Sequence, residues 1–212
     1  MRMDPEKLRL YAVTDRSWLK PGESLGGVVE ELLQGGVTCV QLREKRMGDR
    51  ELLSCAEELL EVCRRYGVPL IINDRPDIAK RVGADGVHVG LADMEIRRAR
   101  ELLGDGYYIG SSAHSVQEAL AAEAAGADYL GCGAVFGSAT KTDASKLSLE
   151  ELRRIAQAVR IPAVAIGGVG PDNIGRLRET GVSGAAVISA LFAAGDKKKA
   201  AETLWNLWGG TT

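Results

Sequence analysis

Apolar positions cluster along the chain in eight short runs: Leu8–Thr14, Val37–Leu42, Val68–Asn73, Asp85–Val89, Tyr107–Gly110, Asp128–Cys132, Ala163–Gly167 and Gly184–Ile188. Most are apolar at consecutive rather than alternate positions, which is the pattern of strands covered on both faces. The intervening segments have helical spacing: Leu25–Gln34, Arg50–Tyr66, Asp77–Val82, Met94–Leu103, Val116–Ala125, Leu149–Val159, Pro171–Glu179 and Lys197–Trp205. Within Glu51–Arg65, Leu52, Ala56, Leu59, Leu60 and Cys63 form one stripe. Glycines followed by Val or Ala (Gly36, Gly67, Gly83, Gly126, Gly181) mark the helix exits. There a left-handed residue turns the chain back into a strand.

Eight strand–helix units with no compositional break predict one domain over residues 1–212. The expected fold is α/β, a parallel (β/α)8 TIM barrel. A doubly wound open sheet is the competing arrangement, but eight strands each followed by a helix close more naturally.

Composition narrows the function. Hydrophobic residues at 45% and charged residues at 26% are ordinary for a folded globular protein, which excludes a disordered chain. Twenty-seven basic and 29 acidic residues leave a net charge of −2, so no broad basic surface for nucleic acid is expected. The first ten residues carry five charges (Arg2, Asp4, Glu6, Lys7, Arg9) and lack a signal-peptide core, and the longest uncharged stretch, Gly181–Gly195, is too short to span a bilayer. Cys39, Cys55, Cys63 and Cys132 form no metal-binding spacing and read as buried thiols. A cytoplasmic protein with no membrane partner is expected, and a homo-oligomer is compatible with the sequence.

In such a barrel the chemistry collects where the strands end. Gln41-Leu42-Arg43-Glu44-Lys45 is the most informative of these ends. Side chains two apart share a strand face, so Gln41, Arg43 and Lys45 are expected at the barrel mouth, an amide and two cations suited to a multiply charged phosphate. The same run is also what a strand end dissolving into solvated charges looks like, with Glu44 pairing Lys45 or Arg46. Asn73-Asp74-Arg75 closes the third strand and Asp93 follows the fourth. Singly, Asp74 and Asp93 read as helix N-caps. Beside cations at 43 and 45, they read as two carboxylates for Mg2+, whose other ligands are diphosphate oxygens and water. Residues 133–148 form a long segment with Ser138, Thr140 and Lys141, suited to a lid over phosphate. Gly167-Gly168 and Ile188-Ser189 end strands seven and eight, where many barrels hold a phosphomonoester on backbone N–H groups. His88, between two valines, is expected to pack or bond locally, while His114 opens a helix and could act as a base or a helix-end contact. Lys197-Lys198-Lys199 reads as a solvated helix start, and Trp205 and Trp208 as anchors of the last helix.

Leu10 to Asp15, Gln41 to Lys45, Asn73-Asp74-Arg75, Gly86 to Gly90, Ser112-Ala113-His114 and Ala165 to Gly168 together resemble the thiamine-phosphate synthase family, in order and across nearly the whole chain. The resemblance implies a transferase that joins hydroxymethylpyrimidine diphosphate to hydroxyethylthiazole phosphate. Mg2+-assisted loss of diphosphate would leave a pyrimidine-methyl cation, which the thiazole nitrogen captures. It further implies that Gln41, Leu42, Arg43, Glu44, Lys45, Asn73, Ser112 and Lys141 hold the pyrimidine diphosphate, with Arg43, Lys45, Ser112 and Lys141 catalytic. Asp74 and Asp93 would bind Mg2+. Ser138, Ala139, Thr140, Gly168, Ile188 and Ser189 would hold the thiazole phosphate. The chain departs from the family pattern at Leu91, where glutamine is usual, and at Gly137-Ser138, where Pro-Thr is usual and where glycine loosens the lid. The alternatives are a thiazole tautomerase of the same barrel family, with His114 in the acid/base position, and a non-catalytic barrel that only binds a precursor.

Overall fold

The computed structural model of the protein describes residues 2–90, 95–137 and 147–210. Strands β1 (Leu10–Val13), β2 (Cys39–Leu42), β3 (Leu70–Asn73), β4 (Gly86–Val89), β5 (Tyr108–Ala113), β6 (Tyr129–Gly133), β7 (Ala163–Ile166) and β8 (Gly184–Val187) pair in sequence order into a closed parallel barrel. β1 pairs with β8 through Leu10↔Ala185, Tyr11↔Ala186 and Ala12↔Val187. Around it stand α1 (Leu25–Gln34), α2 (Asp49–Arg65), α3 (Pro76–Val82), α4 (Ile96–Leu103), α5 (Val116–Ala125), α6 (Leu149–Ala158), the single turn α7 (Ser189–Phe192) and α8 (Lys197–Trp208). The barrel expectation therefore holds, and the open sheet does not form.

Three elements differ locally from expectation. The segment expected as the seventh helix winds tightly, as a 3-10 helix over Ile174–Thr180. The expected strand start at Leu8 is instead the end of a 3-10 turn, Pro5–Leu8, capped by Asp4. Strand β5 runs on to Ala113, so Ser111 and Ser112 belong to the sheet, bonded in register to Leu130 and Gly131.

Each strand is buried on both faces, so the barrel has two cores. Leu10, Ala12, Val40, Leu42 and Leu130 pack outward against the helices. Met3, Leu8, Tyr11, Val13, Cys39, Ile71, Tyr129, Val164 and Ala186 fill the interior. The segment from Met3 to Leu8 stops the end where the strands begin, with the Met3 N–H bonded to the Asp128 carbonyl at 3.3 Å. All four cysteines are thiols. Burial raises the Cys63 and Cys132 thiols to about 12, so they serve as small apolar fillers.

Outside the barrel, the Arg100 guanidinium donates to the Asp128 carboxylate at 2.6 Å and to the Tyr107 carbonyl at 2.7 Å. Asp128 is 1% exposed and also receives the Ile109 N–H at 2.8 Å. Arg100→Ala is expected to lower stability by about 3 kcal/mol, because it takes this cation away from a buried carboxylate. Urea unfolding of the two proteins checks this, and a loss well under 1 kcal/mol would refute it.

Candidate active site

The C-terminal ends of the strands enclose a cavity of about 280 Å³, of the order needed by a small heteroaromatic ligand. One wall is polar. Gln41 and Arg43 project from β2, Asn73 from β3, His88 from β4, and Ser112 from β5. The opposite wall combines apolar side chains, Val164, Ile166 and Ile188, with the glycine backbone of Gly167 and Gly168 after β7 and with Ser189 after β8.

Period-two alternation settles the run after Val40. Gln41 and Arg43 line the cavity, while the Leu42 side chain sits in the outer core. The Arg43 N–H donates to Thr14 Oγ1 at 2.9 Å, and that hydroxyl donates to Glu44 Oε1 at 2.9 Å. Glu44 also takes the Arg16 N–H at 3.2 Å and so braces the ends of β1 and β2 from outside the cavity. Burial raises the Glu44 carboxyl above its ordinary range, against the opposing bonds from Thr14 and Arg16. Lys45 stays outside the cavity lining and pairs with Asp74 at 3.4 Å on the rim. The cation pair expected at the mouth is thus split between a cavity residue and a rim residue.

Asp74 stands in the left-handed region, φ 60°, immediately beyond β3. A non-glycine residue held there is unusual and tends to mark a functional position. Its carboxylate accepts from Asn73 Nδ2 at 2.5 Å, and its N–H donates to the His88 carbonyl at 2.8 Å. The N-cap alternative fails for Asp74, because α3 is capped at Arg75 with no side-chain capping bond. Arg75 instead pairs with Asp49 and Asp77, both at 2.7 Å. Asp93, Lys141, Ser138, Ala139, Thr140 and Leu91 lie outside the described residues.

Sequence reasoning gave no site role to Tyr11 or Tyr129, and it read His88 only as a packing or locally bonded residue. All three meet beneath the polar wall. Gln41 Nε2 donates to Tyr11 Oη at 2.7 Å, Tyr11 Oη lies 2.9 Å from Tyr129 Oη, and Tyr129 Oη lies 3.2 Å from His88 Nδ1. His88 Nε2 is 3.3 Å from Ser112 Oγ. The Tyr129 ring crosses the barrel because Gly110 has no side chain; a Cβ there would fall 2.1 Å from the ring. Burial raises both phenols well above their ordinary range, which keeps their protons in place. The signal for these residues was strand alternation: Tyr11, Gln41, His88 and Ser112 all share the inward face.

On the other wall, Gly167 and Gly168 both have positive φ, +97° and +66°. They lie against the segment that follows β6, where the Phe136 N–H bonds the Gly167 carbonyl at 3.0 Å. Asn173 closes this turn by donating to the Gly168 carbonyl at 2.9 Å and accepting the Gly170 N–H at 3.0 Å. His114 also lines the cavity, its N–H on Glu118 Oε2 at 2.6 Å and its Nδ1 3.2 Å from the same oxygen. Lys197 corrects an expectation. It is 2% exposed rather than solvated, because its Nζ donates to the Phe192 carbonyl at 2.5 Å and the Ala194 carbonyl at 2.9 Å. It thereby steadies α7, the turn that carries Ser189, and lies 4.0 Å from Glu23 in the loop after β1.

Comparison with known proteins gives a consistent result. Residues 10–191 match the family model described as thiamine monophosphate synthase. The chain is 48% identical over 199 residues to the thiamine-phosphate synthase of Clostridium acetobutylicum, covering 94% of each protein. It is 48% identical over 200 residues to that of Clostridium novyi, covering 94% of this chain and 98% of the relative. Among solved structures, it superposes on the thiamine phosphate pyrophosphorylase of Pyrococcus furiosus with a TM-score of 0.89 and 43% identity, covering 96% of each chain.

Proposed function

Since the chain belongs to the thiamine monophosphate synthase family and is a transferase, we propose that it joins hydroxymethylpyrimidine diphosphate to hydroxyethylthiazole phosphate, releasing diphosphate. The observation that carries this reading is the two-sided cavity, a polar wall facing a wall of apolar side chains and glycine backbone. Each wall suits one anionic substrate. The tautomerase and binding-only alternatives are not favoured, because the relatives are synthases over nearly the whole chain.

In the proposed reaction the bond between the pyrimidine methylene and diphosphate oxygen breaks, and its electron pair leaves with diphosphate. The thiazole nitrogen then donates its lone pair to the methylene carbon. No proton is lost, so the site needs no strong base. It needs positive charge where diphosphate leaves and exclusion of water from the cation. Arg43 and Ser112 face that charge from the polar wall, with Gln41 and Asn73 orienting the ring. Lys45 adds a cation at the rim, and Lys141 would come from the segment after Gly137. Leu42 can contribute only backbone, and Glu44 acts by bracing. Gly168, Ile188 and Ser189, with Ser138 to Thr140, would hold the thiazole phosphate through backbone N–H groups.

Asp74 fits Mg2+ by its chemistry. It offers hard carboxylate oxygen beside the diphosphate wall, and Mg2+ is commonly held by one or two carboxylates plus phosphate oxygens and water. Asp93 would supply the second carboxylate. Mg2+ would neutralise the charge growing on the leaving diphosphate. The thiols agree with a reducing, cytoplasmic setting, and among the described residues no helix is long and apolar enough to cross a membrane.

Turnover with both precursors tests the reading. Thiamine phosphate should form with Mg2+, stop with a chelator, and resume when Mg2+ is restored. No product under any of these conditions would overturn the assignment, and product undiminished by the chelator would overturn the metal.

A further inference from the structure

The chain of side chains beneath the cavity has a direction. Each phenol has one proton to give. Gln41 Nε2 can only donate, so Tyr11 Oη accepts from it and must place its own proton elsewhere. The Tyr129 oxygen, 2.9 Å away, is the strong acceptor in reach. Tyr129, having accepted, donates to His88 Nδ1 at 3.2 Å. A neutral imidazole accepting at Nδ1 carries its proton on Nε2, which then donates to Ser112 Oγ at 3.3 Å. Ser112 is left with its own proton to give, and it lines the cavity. No buried side-chain polar atom among the described residues lacks a partner, as a completed chain requires.

We propose that Tyr11, Tyr129 and His88 are positioning residues that tie the proton of Ser112 to the amide orientation of Gln41. With Nε2 of Gln41 on Tyr11, its carbonyl oxygen is turned from the chain and Ser112 presents a hydroxyl proton. Turning the amide over would reverse every bond, leaving Ser112 an acceptor. The two ends are therefore complementary by construction. The cavity selects a ligand that offers a donor at Gln41 and an anionic acceptor at Ser112. This rests on the proposed function, in which an aminopyrimidine bearing a diphosphate is that ligand.

Two measurements test it. The chain has two histidines, so 15N spectra of the protein and of His114→Gln assign His88. The Nε2–H tautomer is expected in the wild type, and a mixture of tautomers in Tyr129→Phe. Tyr129→Phe should lower kcat/KM about tenfold, and much less when combined with Ser112→Ala, because the ring acts through that hydroxyl. A wild-type Nδ1–H tautomer would overturn the proposal, as would equal losses from Tyr129→Phe in the wild-type and Ser112→Ala backgrounds. If Tyr129→Phe does not fold, Tyr11→Phe breaks the chain one link earlier and carries the same test. The tautomer needs no substrate, so a failure to make thiamine phosphate would count against the assigned reaction and leave this measurement standing.

Discussion

Asp74→Asn should fold like the wild type and form thiamine phosphate about a thousandfold more slowly, on the scale of losing one preorganised charge contact at a leaving group. The choice of asparagine matters. Asp74 sits at φ 60°, a conformation that asparagine tolerates nearly as well as aspartate. Alanine would add backbone strain to the lost carboxylate and confuse the two. With asparagine, an oxygen remains to accept from Asn73, whose amide lies 2.5 Å from the native carboxylate. Only the charge disappears, and with it the ion pair to Lys45. Turnover across a Mg2+ series should show a lower kcat together with a higher Mg2+ requirement. Turnover within about threefold of wild type at the same Mg2+, with unchanged circular dichroism, would remove Asp74 from the metal site, since one carboxylate ligand is worth far more than that.

Gly168→Ala should raise the KM for the thiazole phosphate by roughly two orders of magnitude, with a smaller effect on the pyrimidine substrate. Two causes act together. At φ +66° any side chain is strained, and the added Cβ would stand 2.6 Å from the Gly137 carbonyl oxygen and 2.9 Å from that of Phe136. The turn has to move away from the loop it leans on, carrying the phosphate-facing backbone with it. Gly170→Ala is the control from the same turn. A Cβ there meets only the Ala190 methyl, at the ordinary contact distance of 3.7 Å. Initial rates with each substrate varied in turn separate the cases. Equal KM values for Gly168→Ala and Gly170→Ala would remove the β7 turn from the thiazole phosphate site.

The parts of the molecule legible in sequence were those that depend on local pattern. A strand covered on both faces has to be apolar throughout, so the barrel showed itself in the eight runs. Alternation placed Gln41 and Arg43 inward, but it failed at Lys45, beyond the end of the strand. It was not applied to Leu42, whose side chain packs in the outer core. Patterning failed where a residue's partner lies far along the chain. Tyr129 meets a tyrosine 118 residues away, and nothing near either ring announces a polar contact. Lys197, first of three lysines, looks like its neighbours; only the folded loop brings two carbonyls to its Nζ. Asp74 was ambiguous for a related reason. Aspartate before a helix is the signature of a cap, but Asp74, in a left-handed turn, stands one residue before the cap position at Arg75.

Closure of the sheet between its first and last strands bears on how the protein is made. The edge of β1 that faces β8 stays open until residue 187 has left the ribosome, because the partner of Ala12 on that side is Val187. A nascent chain with seven strands out is an open parallel sheet with two raw edges, the kind of surface that other chains pair with. The emergence of β8, the last strand, sets the moment when the ring can seal. Pairing over such separations is slow to find, so crowded synthesis is where this fold is most exposed to aggregation.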